Sequence, residues 1–133
     1  MRRTAGTLLL MTISVLPNVL FAQISGQSPT CGSVSGKTVK DRDNALAFCK
    51  GLPKEGVVGV MAMDSLLWIK VSRGIADAML ADRLTTEQVV KNWMAVWKKY
   101  SGAVVTVTVE WQDVEIAKGQ TSVFSGDLVT IRK

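Results

Sequence analysis

Residues 84–111 read LTTEQVVKNWMAVWKKYSGAVVTVTVEW, and within this stretch the spacing of apolar positions changes from three or four to two. Val89, Val90, Trp93, Met94, Trp97 and Tyr100 recur at helical steps and form one apolar stripe. Lys91, Asn92, Lys98 and Lys99 fall off that stripe, and the two terminal lysines suit the negative end of a helix dipole. Ser101-Gly102 supplies the glycine that commonly ends a helix in a left-handed conformation. After it, Val105, Val107, Val109 and Trp111 alternate with Val104, Thr106, Thr108 and Glu110, the pattern of a strand with one packed and one wet face. At the front, Thr85 and Gln88 have the spacing of a capping box, and Leu84 and Val89 that of a hydrophobic staple. The stretch predicts a capped helix, a glycine stop and a half-buried strand.

Upstream of it the same two periods recur. Residues 57–63 (VVGVMAM) and 66–71 (LLWIKV) flank Asp64-Ser65, which predicts a tight hairpin. Leu67, Ile69 and Val71 share one face of the second strand; Leu66, Trp68 and Lys70 share the other. A helix is expected over 41–50 (DRDNALAFCK), ended by Gly51-Leu52-Pro53, and a short one over 75–83, meeting the main helix at a corner near Leu84. Downstream, Gln112-Asp113 reads as a bulge or turn, and Val114 and Ile116 alternate with Glu115 and Ala117. Lys118-Gly119-Gln120 and Ser125-Gly126-Asp127 read as turns, and 128–132 (LVTIR) reads as a closing strand. Helices and strands in this order predict an α+β fold, a two-layer sandwich whose antiparallel or mixed sheet of 4–5 strands carries the helices on one face.

The chain has 133 residues, enough for one domain, and its 47% hydrophobic and 20% charged shares are those of a globular rather than a disordered chain. Residues 1–22 have the form of a secretory signal peptide: Arg2 and Arg3, an apolar core over 8–16, a break at Pro17-Asn18, and Ala22 before the cut. The apolar run is shorter than the roughly 20 residues that a span needs, so no stable membrane insertion is expected after cleavage. Residues 23–37 (QISGQSPTCGSVSGK) are rich in Ser and Gly and predict a flexible leader, which leaves 38–133 as the folded domain. With Arg2 and Arg3 set aside, the net charge falls from +5 to +3, too mild for a nucleic-acid partner.

Cys31 and Cys49 are the only cysteines. In an exported chain such a pair predicts a disulfide, worth about 3 kcal/mol in the chain-entropy model for a loop of this size. A redox pair would instead stand as Cys-x-x-Cys at a helix start. Ser35-Gly36-Lys37-Thr38 resembles the end of a phosphate-binding loop, but that motif needs a glycine where Cys31 stands, and no strand is expected before it.

The chain contains no histidine, which removes His-based triads, His general bases and nearly all His-containing metal sites. Neither a catalytic constellation nor a cofactor or metal motif is legible. Glu110 with Asp113 or Glu115 is the densest acidic cluster and offers the carboxylates that a small secreted hydrolase would need. Trp93, Trp97 and Trp111 stand on apolar faces and are expected in the core. Trp68 differs, since alternation groups it with Lys70 and also with Thr106, Thr108, Glu110, Thr130 and Arg132. Either that face is open and serves as a contact surface, or the helix at 41–50 covers it. The expected function is a small exported domain, periplasmic or secreted, that binds another exported or envelope protein. The alternatives are the hydrolase and a structural component that self-associates through an edge strand.

Overall fold

The structure is a computed structural model and describes residues 24–52 and 56–133. The expected signal peptide at 1–22 lies outside the described residues. Seven strands form one sheet in chain order: β1 (Ile24–Ser28), β2 (Gly32–Gly36), β3 (Val57–Met63), β4 (Leu66–Val71), β5 (Thr106–Trp111), β6 (Val114–Ser122) and β7 (Gly126–Ile131). Helix α1 (Val39–Cys49) joins β2 to β3, and α2 (Arg73–Ala81) with α3 (Arg83–Ser101) joins β4 to β5. The pairs β2–β3 and β4–β5 are parallel and the rest antiparallel, so two hairpins and a three-stranded meander are linked in series by two helical crossovers. Both crossovers step the same way along the sheet. Parallel crossovers are right-handed, so both place their helices on the same face.

That face holds the core. Val34, Val60, Ala62, Leu67, Ile69, Val71, Val107 and Val109 project from the sheet, and Ala45, Phe48, Val90, Met94 and Trp97 meet them from α1 and α3. Phe48 and Trp97 pack edge to face with ring centroids 5.9 Å apart, which locks the two helices together. The Trp97 indole N–H donates to the Ser65 carbonyl at 3.0 Å, so burial of this residue leaves no polar atom unpaired and ties α3 to the β3–β4 turn.

The two-layer α+β architecture is as the patterns predict, but the sheet has seven strands rather than 4–5. The extra pair is β1 and β2, formed by residues expected as a flexible leader. Their small polar residues hide the alternation; only Val34, with Cys31 in the turn between the strands, is an apolar residue fully buried in the core. The disulfide joins Cys31, between β1 and β2, to Cys49 at the end of α1, with Cα atoms 5.9 Å apart and both residues fully buried. Gly36 lets α1 lie directly on β2, since a Cβ there would fall on the backbone of Asp41 and Arg42.

Further expectations need correction. Helix α3 begins at Arg83, capped by Asp82, whose carboxylate accepts from the Thr85 N–H at 3.1 Å and the Thr85 hydroxyl at 2.8 Å. Thr85 therefore lies inside the helix, the Thr85–Gln88 box does not form, and Leu84 is 84% exposed with no staple to make. The corner between the helices thus falls at Asp82, and α2 starts at Arg73, two residues earlier than expected. Lys118-Gly119-Gln120 is no turn but the middle of β6. Gly119 sits there because Val90 and Met94 of α3 occupy the space that a Cβ would need. Tyr100 is 39% exposed, and Trp93 and Trp111 are only partly buried at the edge of the core.

Gln112 and Asp113 both have positive φ, 48° and 65°, as a two-residue hairpin turn requires. A bulge beside them sets both Ile116 and Ala117 inward, which breaks the alternation expected there. Helix α3 also holds the edge strand β7 at both ends. The Arg83 guanidinium donates to the carbonyls of Ile131 and Arg132 at 3.0 and 2.9 Å, and Lys98 pairs with Asp127 at 2.8 Å.

Candidate functional site

The sheet face away from the helices is bare among the described residues, and the register sets its side chains in rows. The central row runs Ser35, Met61, Trp68, Thr108, Lys118, Thr130 across β2 to β7. The row on one side holds Met63, Leu66, Thr106, Gln120 and Leu128; the row on the other holds Gly59, Lys70, Glu110 and Glu115. Trp68, Lys70, Thr106, Thr108, Glu110 and Thr130 therefore stand on one surface. Arg132 follows β7 in the same alternation, with its N–H bonded to the Ile116 carbonyl at 2.8 Å.

Trp68 lies between the buried Leu67 and Ile69 and points the other way, so α1, which packs on the core face, does not cover it. It is half-buried by its neighbours in the sheet, while Thr108 beside it is 9% exposed. Leu66 shares this surface as alternation predicts, and Met61, Met63, Lys118 and Gln120 share it without having been singled out from sequence. Alternation against Val60 and Ala62 was the signal for the two methionines. Lys118 and Gln120 were hidden by reading their segment as a turn.

Glu110 and Glu115 are direct register partners on adjacent strands, which brings two like charges together. Neither lines a cavity described here. One cavity, of about 330 Å³, opens between α2, α3 and the start of β3, with Val57, Ile75, Met79, Val89 and Trp93 as apolar walls and Asp82, Thr85 and Thr86 at one side. Thr86 is buried, and its hydroxyl is spent on the carbonyls of Met79 at 2.7 Å and Asp82 at 2.8 Å. The hydrogen bonds from Thr85 hold the Asp82 carboxyl below its ordinary value of 3.8. Its lone pairs thus serve the helix cap.

A second, more polar hollow of about 660 Å³ borders the β3–β4 turn and the start of α1. Here the resemblance to a phosphate-binding loop meets its structural answer. A strand does precede the motif, contrary to expectation, and a helix follows. Only Lys37 and Thr38 lie between them: the Lys37 N–H donates to the Ala62 carbonyl at 3.1 Å, and the Thr38 hydroxyl caps α1 through the Asp41 N–H at 3.0 Å. No loop remains to wrap a phosphate. Among the described residues no group of three or more His, Cys, Asp or Glu is placed to hold a metal ion, and no helix is long and apolar enough to cross a membrane.

No protein-family model matches the chain, and neither a curated protein nor a solved structure matches it.

Proposed function

We propose that the protein is a small exported binding domain that uses the bare sheet face to hold another exported or envelope protein. The observation that carries this reading is the position of Trp68, at the centre of that face between Met61 and Thr108. A sheet with helices on one side only leaves an apolar centre uncovered on the other. Here Met61, Met63, Leu66 and Trp68 supply that centre, while Lys70, Glu110, Lys118 and Gln120 supply a polar surround. Aromatic anchors ringed by polar residues are the usual form of a contact hot spot. Export is supported by the signal-like residues 1–22 and by the Cys31–Cys49 disulfide, which persists in oxidising compartments.

The test is affinity capture by the oxidised protein from its native envelope or culture fluid, with Trp68→Ala and Lys118→Glu alongside. These positions lie on strands β4 and β6 of the same face. A partner held by the native protein and lost by both variants, each still folded by circular dichroism, supports the reading. Collapse of the fold in Trp68→Ala, or capture indifferent to both changes, overturns it.

A further inference from the structure

We propose that Met61, Met63 and Trp68 form a site for a soft monovalent cation, copper(I) or its surrogate silver(I). The inference goes beyond the binding role above, and its test uses no partner, so either idea can fail alone.

Soft donor atoms are few on this chain. There is no histidine, and both cysteines are locked in the buried disulfide. Of the four methionines among the described residues, Met79 and Met94 are core, at 8% and 0% exposure. Met61 and Met63 are the other two. They stand two apart on β3, so both thioethers project from the same, helix-free face while Val60 and Ala62 fill the core.

The partner strand adds the third group. Trp68 is the register partner of Met61 and the diagonal neighbour of Met63. Direct partners in such a pair hold their Cβ atoms about 5 Å apart, and diagonal ones remain within reach of long side chains. Two flexible thioethers and an indole ring therefore project from adjacent positions of one face at the β3–β4 hairpin. Thioethers select copper(I) over harder ions, and the face of an indole is the best of the aromatic surfaces for a cation. The hairpin holds its register through the two-residue turn, whose Asp64 N–H is tied to the Asp41 carboxylate of α1 at 3.1 Å, so the three groups sit on a rigid element. Lys70 and Lys118 stand nearby on the same face. Their ammonium groups oppose hard cations held by charge alone, but leave thioether coordination by neutral sulfur available.

The oxidised protein is titrated with silver(I) in chloride-free buffer, which needs no reductant and spares the disulfide. Binding is followed by native mass spectrometry and tryptophan emission. The expected result is one silver ion per chain with quenched emission. Met61→Leu and Met63→Leu each weaken binding, and the double variant loses it while melting like the native protein. Trp68→Phe still takes up silver by mass but loses most of the emission change. Zinc(II) leaves mass and emission unchanged. No silver complex with the native protein overturns the proposal, as does equal uptake by the double variant. Should the double variant fail to fold, undiminished uptake by both single variants does the same.

Discussion

At the residue scale, side chains that look alike in sequence have been sorted by what stands opposite them. Thr85 has the spacing of a helix cap to Gln88, yet Asp82 takes the role because its carboxylate reaches both the N–H and the hydroxyl of Thr85. This bond lowers the Asp82 pKa, so the folded state gains stability from the ionised carboxylate above the unfolded value of 3.8. That gain is lost as pH falls through the lower folded value. Asp82→Ala should therefore melt at a lower temperature than the native protein at neutral pH, with the gap closing as pH falls below the unfolded value of 3.8. Thermal melts at a series of pH values check this; a gap that widens in acid contradicts it. Trp68 and Trp97 show the same sorting. Alternation already sets them apart in sequence, and only Trp97 meets a helix–sheet interior and a carbonyl for its indole N–H.

At the scale of elements, small residues decide how closely helix and sheet approach. Gly119 was legible as a turn residue and is instead the seat of α3 on β6. Gly119→Ala should cost about 1–3 kcal/mol, the range for overpacking, because Met94 and Val90 must move. Chemical denaturation measures it, and an unchanged midpoint would show that α3 yields freely. Strands β1 and β2 escaped the sequence reading for a related reason. Their register is held by α1 lying over Gly36 and by the disulfide, not by an apolar stripe of their own. Opening Cys31–Cys49 with reductant should then lower stability by about 3 kcal/mol and release the β1–β2 hairpin first. Hydrogen exchange before and after reduction tests this, with new exchange expected at 24–36 and little change in β4 and β5. Uniform loosening of the whole sheet would contradict that order.

At the scale of the whole molecule, two crossovers of the same hand and direction account for the shape. They stack α1, α2 and α3 on one side and leave the other side of a seven-stranded sheet uncovered. The pairing of Trp68 with Thr108 across the parallel β4–β5 pair is a consequence of that topology, while Met61 meets Trp68 within the local β3–β4 hairpin. Glu110 meets Glu115 within the β5–β6 hairpin, where the bulge sets these like charges opposite each other. At one end of the edge strand β7 the Arg83 guanidinium takes the carbonyls of Ile131 and Arg132, and at the other Lys98 pairs with the Asp127 side chain.

The sequence by itself determined the α+β class, the strands 57–63 and 66–71 to the residue, the disulfide, and the faces of β4 and β5. Each is written in local periodicity, turn chemistry or cysteine count, and each survives whatever the rest of the chain does. Tertiary structure alone decided the strand number, the place of Gly119 and the pairing of Trp68 with Thr108. Those depend on which element lies against which, and close approach between distant segments leaves only a glycine or a serine in the sequence to mark it.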